Sequence, residues 1–228
     1  MYRIFYNKFL LFCVFVFTLF FNISACFGND NAKCKEYSNF AIIVSGPSGA
    51  GKTTIVNEVL KRNKTLSASI SAVTRQKRKG EKEGVDYYFL TRDEFKELIG
   101  KGEFLEYDEH YGNFYGTPRR NYIESIKNSK DIIFNVNASG MRSIKKNKKI
   151  DVISIFIVAP SEDVLKKRLI NRGTENMKQL KTRIDSMKSE MKNAKEYDYV
   201  LLNDTVDNAV KVFEAIYNAE KYKRIICK

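Results

Sequence analysis

The chain has 228 residues, of which 43% are hydrophobic and 29% are charged, so it can build a packed globular domain and general disorder is excluded. Lysine and arginine number 40 against 27 acidic residues, which gives a formal net charge of +13. Lysine clusters such as residues 145–149 favour a solvated basic surface over a nucleic-acid-binding face. No aromatic residues alternate with them and no nucleic-acid-binding motif accompanies them, so we expect no nucleic-acid partner.

The cysteines and the single histidine offer little chemistry. Cys13, Cys26, Cys34 and Cys227 show neither a CxxC pair nor the spacing of a metal site, and they imply no disulfide framework. His110 is the only histidine, which argues against histidine-based catalysis. We expect His110 to lie in a loop as a polar residue without a functional role.

The first 36 residues form an apolar leader that admits several interpretations. Arg3 and Lys8 precede an unbroken apolar run over residues 9–21, the pattern of a secretory signal, and residues 23–26 resemble a lipoprotein box. The apolar stretch is also long enough for a membrane anchor. A start-site artefact is a further alternative.

The first predicted strand, at about residues 40–45, leads into a glycine-rich turn and then a helix over about residues 52–64. Strand, glycine-rich turn, Lys-Thr and helix in this order are typical of a P-loop, whose backbone N–H groups surround phosphate. Lys52 would reach the β- and γ-phosphates of a nucleoside triphosphate, and the Thr53 hydroxyl would bind Mg²⁺. The predicted ATP-binding residues of the turn are Gly46, Pro47, Ser48, Gly49, Ala50, Gly51, Lys52 and Thr53.

The P-loop argues against export of the chain, because ATP is supplied by the cytosolic nucleotide pool. We therefore predict a cytoplasmic catalytic domain that begins near Tyr37. Residues 1–28 are then either an anchor or a start-site artefact, and membrane association follows only if they are retained.

The remaining chain alternates strands and helices, which predicts an α/β fold with a parallel central sheet flanked by helices. Further strands are expected at residues 131–136, 152–158 and 199–202, with helices at about 161–171 and 205–221. Two stretches interrupt the alternation. Residues 69–120 contain short strand-like pieces and one capped helix, and residues 172–183 are polar and suit a mobile lid.

Several separated motifs together resemble the guanylate kinases, the P-loop enzymes that phosphorylate GMP with ATP. The resemblance begins at about residue 39 and covers roughly five-sixths of the chain. Beyond the P-loop, its motifs lie at residues 69–81, 84–89, 104–107, 112–117, 166–173 with Arg183, and 202–204. It implies a guanylate kinase-like domain at 37–228, with a core (37–68, 129–165 and 195–228), an inserted GMP-binding lobe (69–128) and a small lid (166–194).

The resemblance also implies roles for individual residues. Lys52, Arg168, Arg172 and Arg183 would act on the transferred phosphate, and Asn203 would border the adenine of ATP. Mg²⁺ would accompany ATP as the phosphoryl donor. The residues implied to bind GMP are Ser71, Arg75, Arg78, Tyr87, Glu106, Tyr115, Thr117 and Asn137.

The chemistry of guanine supports the part given to Glu106. Guanine presents N1–H and an exocyclic amine as donors, and one carboxylate can accept from both. Adenine carries an acceptor at N1, so the same carboxylate would lose its partners and reject that base. The Ser71 and Thr117 hydroxyls would complement guanine O6 or N7, and Arg75 and Arg78 would bind the monophosphate with planar forks. Glu81 is expected to brace an arginine.

The sequence departs from the family where an Asp-x-Asp usually follows the GMP lobe, since Asn135 and Asn137 occupy those positions. The attacking phosphate oxygen is largely ionised near neutral pH, so no general base is required. We predict a working but slower enzyme with altered Mg²⁺ dependence. The main alternative is a guanylate kinase-like module that binds a phosphorylated partner without turnover. Another nucleoside-monophosphate kinase and a basic nucleic-acid binder are further alternatives.

Overall fold

The computed structural model of the protein describes residues 37–78, 80–110, 112–172 and 177–224. The predicted leader, residues 1–36, lies outside the described residues. Residues 38–222 form one compact unit. In chain order its elements are β1 (Ala41–Ser45), α1 (Lys52–Arg62), β2 (Leu66–Ala68), β3 (Ala72–Val73), β4 (Tyr88–Phe89), α2 (Arg92–Gly100), β5 (Phe104–His110), β6 (Asn113–Pro118), α3 (Arg119–Lys127), β7 (Asp131–Asn135), α4 (Ala138–Lys146), β8 (Val152–Val158), α5 (Glu162–Arg172), α6 (Met177–Lys192), a 3₁₀ turn (Asn193–Glu196), β9 (Tyr199–Leu202) and α7 (Val206–Lys223).

The central sheet contains five parallel strands in the order β2-β7-β1-β8-β9. Its middle strand β1 is buried at all five positions, as expected for a parallel strand with helices on both faces. Ile43 and Phe134 of the sheet pack with Met141 and Ile144 of α4 in one core cluster. Because the strands are parallel, the carboxyl ends of β1 and β7 meet at the same edge, where the P-loop begins.

A second, four-stranded sheet in the order β4-β3-β6-β5 forms the inserted lobe. It is mixed, since β3 and β4 run parallel while β6 runs antiparallel to both β3 and β5. Its small core is aromatic, with the rings of Phe95 and Phe104 stacked at a centroid distance of 4.5 Å. Thr91 caps α2 through a capping box with Glu94, which agrees with the capped helix expected in this stretch.

The structure confirms the predicted α/β architecture and places most elements within two residues of their expected ends. In the predicted lid, helix α6 spans Met177–Lys192 and contains Arg183, while residues 173–176 are outside the described part. Among the residues that the structure describes, no helix has both the length and the apolar character needed to cross a bilayer.

Candidate active site

The P-loop is supported from behind by a buried asparagine. Gly51 adopts a φ of 92°, and a Cβ at that position would lie only 2.3 Å from Asn203 Nδ2. Asn203 is 2% exposed, and its Nδ2 donates to the Ala50 carbonyl oxygen at 2.7 Å. Asn203 thus contacts the P-loop itself. Its place beside the adenine of ATP stays a prediction.

Three predicted cations converge on this loop from different elements. Lys52, the first residue of α1, donates through Nζ to the carbonyl oxygens of Gly46 (2.5 Å) and Pro47 (3.1 Å). Arg183 on α6 donates to the Ser48 hydroxyl. Arg168 on α5 donates through Nη2 to the Asn203 carbonyl oxygen at 3.4 Å.

Arg168 also carries an unsatisfied donor. Its Nη1 is buried and has no hydrogen-bond partner among the described residues, and it lies 3.9 Å from where a Gly51 Cβ would be. A buried guanidinium N–H without an acceptor is costly, and an anion on the P-loop would satisfy it. Arg172, also predicted to act on phosphate, ends α5, and its side chain lies outside the described part.

At the other end of the site, two arginines of the inserted lobe are held by an acid. Glu81 accepts from both terminal nitrogens of Arg75, at 2.6 and 2.7 Å, and from the backbone N–H of Arg78 at 2.8 Å. Burial alone would raise the pKa of Glu81, but these contacts outweigh it and the pKa is lowered. The predicted brace is therefore confirmed. The Arg75 guanidinium also lies over the Tyr87 ring, 4.9 Å from its centroid.

Glu106 is the most strongly perturbed acid of the cleft. It is 8% exposed on β5, and its Oε1 accepts the Thr117 hydroxyl at 2.6 Å. Burial raises the pKa of Glu106 to about 7, and the nearby Asp108 adds to this increase, whereas the Thr117 hydrogen bond opposes it. A Cβ on Gly140 would lie 2.7 Å from Glu106 Oε2, so only glycine lets the carboxylate approach the first turn of α4.

The face of β5 that carries Glu106 also carries two residues that sequence reasoning missed. Alternate strand residues share a face, and Asp108 and His110 line the same cleft as Glu106 while Tyr107 and Glu109 point outward. His110 is thus a cleft residue at the end of a strand, and its expected place in a loop was wrong. Burial lowers the pKa of His110, whose surroundings include Glu190, Asp108, Arg183 and Lys52.

Asn137 contacts this row from the end of β7. It caps α4, its Oδ1 accepts from the Gly140 N–H at 2.8 Å, and its Nδ2 donates to Asp108 Oδ2 at 2.8 Å. Asn135, the other departure from the family pattern, also lines the cleft. The polar alternation of residues 104–110 was the signal that could have revealed Asp108 and His110.

One cleft of about 850 Å³ joins the two ends of the site, a volume within the range of ligand pockets. Of the predicted residues, Pro47, Ala50 and Thr117 are buried beside the cleft and do not line it. The predicted residues that do line it are Gly46, Ser48, Gly49, Gly51, Lys52, Thr53, Ser71, Arg75, Arg78, Tyr87, Glu106, Tyr115, Asn137, Arg168, Arg183 and Asn203.

Comparisons with known proteins agree with this geometry. The family model described as Guanylate kinase matches residues 38–220. The guanylate kinase of Rickettsia felis is 45% identical over 183 residues, covering 80% of this chain and 94% of that protein. That of Clostridioides difficile is 42% identical over 190 residues, covering 81% and 92%.

A solved structure is similar as well. The crystal structure of guanylate kinase from Anaplasma phagocytophilum superposes with a TM-score of 0.68 at 30% identity, covering 82% of this chain and 88% of that one. The family match spans well over half of the sequence, and both relatives are covered almost completely. The chain belongs to the guanylate kinase family.

Proposed function

We propose that this chain transfers the γ-phosphate of ATP to GMP, giving ADP and GDP. One observation carries the proposal: a single cleft has a P-loop with converging cations at one end and a buried carboxylate with two arginines at the other. The first end suits a triphosphate and the second suits a purine monophosphate with N–H donors on its base. Phosphoryl transfer needs the two phosphates to face each other, and a shared cleft allows that.

ATP would bind with its β- and γ-phosphates on the P-loop. The Lys52 ammonium, which donates to two loop carbonyls, would turn to the phosphate oxygens. The unsatisfied Nη1 of Arg168 would gain its acceptor from the same phosphates. Arg183 contacts the loop from α6 and would follow the phosphate during closure of the lid helices.

GMP would bind with its base at Glu106 and its phosphate at Arg75 and Arg78. The carboxylate of Glu106 would accept from guanine N1–H and the 2-amine, with Ser71 beside the base. Tyr87 and Tyr115 would add hydroxyl donors to the phosphate. Because Thr117 is fully buried and donates to Glu106, it would act by orienting that carboxylate.

The transfer itself would depend on position and charge. The GMP phosphate oxygen is already ionised at neutral pH, so the residues need only align it with the γ-phosphate and neutralise the charge that develops. Lys52 and the arginines of α5 and α6 would supply that neutralisation. Exclusion of water from the closed cleft would limit hydrolysis of ATP.

Mg²⁺ fits the donors at the ATP end. No group of three or more His, Cys, Asp or Glu side chains in the described ranges could hold a metal ion by itself. Mg²⁺ keeps several of its waters and is held largely through the phosphates of the substrate, so it needs few ligands from the protein. Thr53 would hold the ion, and the Asn135 amide would accept from its bound water. The ion would neutralise phosphate charge during transfer.

We infer from the proposed substrates that the catalytic domain acts in the cytoplasm, where ATP and GMP are supplied. The partners are these two nucleotides, with no nucleic acid expected. Membrane association depends on the leader, residues 1–28.

A coupled assay of ADP release with GMP, AMP, CMP and UMP tests the proposal. GMP is expected to be the preferred acceptor, and Glu106→Gln should lower its kcat/KM on the order of a hundredfold, since two hydrogen bonds to a charged group are weakened. Glu109→Gln is the matched control, because Glu109 lies on the outer face of the same strand and is 47% exposed. Preference for AMP, or turnover unaffected by Glu106→Gln, would contradict the role proposed for Glu106 in the choice of guanine. Binding of ATP without any turnover would favour the non-catalytic module.

A further inference from the structure

We propose that Asp108 is a specificity-determining residue that accepts a hydrogen bond from the 2-amine of guanine, in place of the acid that the family usually carries at position 137. The proposal rests on the proposed function, because it names a further contact to GMP in the same cleft. Its starting point is the hydrogen bond between Asn137 Nδ2 and Asp108 Oδ2, 2.8 Å long.

Guanine offers more donors than Glu106 can easily satisfy. The N1–H and the two hydrogens of the 2-amine make three N–H groups along one edge of the base. One oxygen of Glu106 already accepts the Thr117 hydroxyl, and the other lies against the first turn of α4, 2.7 Å from where a Gly140 Cβ would be. A second acceptor on the same side of the base is therefore needed for full hydrogen bonding.

Asn137 is poorly placed to be that acceptor. Its only acceptor atom, Oδ1, receives the Gly140 N–H at the first turn of α4, and this bond fixes the orientation of the amide. The amide nitrogen consequently points at Asp108. Asn137 therefore offers the base an N–H donor, with which an N–H group of guanine cannot form a hydrogen bond.

Asp108 can supply the second hydrogen-bond acceptor. It lies two residues from Glu106 on the cleft face of β5, and its Oδ1 has no hydrogen-bond partner within the described part of the chain. The Asn137 amide holds Oδ2 and so fixes the carboxylate. Repulsion between Asp108 and Glu106, which contributes to the raised pKa of Glu106, would be relieved when guanine donors lie between them.

The test compares GMP with IMP, which has the same phosphate, ribose, N1–H and O6 but lacks the 2-amine. In Asp108→Asn, the side-chain oxygen accepts the hydrogen bond from Asn137, so the new NH₂ group points at the 2-amine of guanine. Two donors then face each other and cannot form a hydrogen bond. We expect kcat/KM and equilibrium affinity for GMP to fall on the order of tenfold to a hundredfold, with those for IMP unchanged or improved. Titration calorimetry without ATP supplies the affinities, and Glu109→Gln is the control.

Each outcome decides the matter. A wild-type protein that does not phosphorylate GMP would overturn the proposed function, whereas an active wild type with the same GMP-to-IMP ratio in Asp108→Asn would overturn this inference alone. An equal loss with both nucleotides, together with a shifted Mg²⁺ midpoint, would assign Asp108 to the metal instead. Turnover of IMP by Asp108→Asn shows that this variant is folded. If Asp108→Asn does not fold, Asp108→Ala is measured in its place.

Discussion

The two ends of the cleft are built in different ways. The P-loop end is built mainly on the backbone of one contiguous segment that follows β1 at the centre of a five-stranded parallel sheet, and Arg168 and Arg183 reach it from α5 and α6. The GMP end uses side chains of β5 and β6 and of the segments that flank β3 and β4, in a lobe with a small mixed sheet and an aromatic core. Backbone sites depend on a local conformation, whereas side-chain sites depend on the packing of several elements. Substitutions at the two ends should therefore fail in different ways.

The largest effect is expected at the P-loop end. Lys52→Ala removes the ammonium that would neutralise the transferred phosphate, so kcat should fall on the order of a hundredfold to a thousandfold. GMP affinity, measured by calorimetry, should stay within about twofold of wild type, because Arg75, Arg78 and Glu106 are untouched. Lys61→Ala, on the same helix with 69% of its side chain exposed, is the control. A parallel loss of GMP affinity would show that the two ends are not separable.

A smaller effect is expected where the GMP end depends on packing. In Gly140→Ala the new Cβ would lie 2.7 Å from Glu106 Oε2 and displace the carboxylate, so KM for GMP should rise about tenfold. Alanine is the better helix former by roughly 1 kcal/mol, which offsets part of the cost of this displacement. Gly100→Ala, at the end of α2 where a Cβ meets nothing within 4 Å, is the control. A KM equal to wild type would mean that Glu106 adjusts without loss of its contacts.

An effect of similar size, but reversible, is expected in the pH dependence of the GMP end. Only ionised Glu106 can accept from both N1–H and the 2-amine, and its pKa is raised to about 7. As pH falls from 8 to 6 the ionised fraction drops, so KM for GMP should rise roughly tenfold. KM for ATP should change less, because none of the residues proposed to bind ATP carries a carboxylate. In Glu106→Gln, KM for GMP should depend on pH only through ionisation of the GMP phosphate, whose pKa is about 6. A wild-type profile as flat as that of the variant would contradict the ionisation argument.

The sequence alone determined the parts of this protein that local patterns encode. The apolar runs that became β1, β7 and β8 are continuous because both faces of a parallel strand are covered, and the glycine-rich turn after β1 has its own chemical signature. Spaced motifs likewise indicated the GMP cradle. Glu81, which lies in one of them, was expected to brace an arginine, and the structure shows that this arginine is Arg75.

Only the tertiary structure decided which polar groups meet across distant segments. His110 looked like a loop residue, yet pairing of β5 with β6 makes it the end of a strand that faces the cleft. Asp108 and Asn137 are 29 residues apart and come together only because β5 packs against the start of α4. The orientation of the Asn137 amide follows from a helix N–H, which no sequence pattern specifies. Such contacts escape sequence reasoning because they depend on how two separately predictable elements pack together.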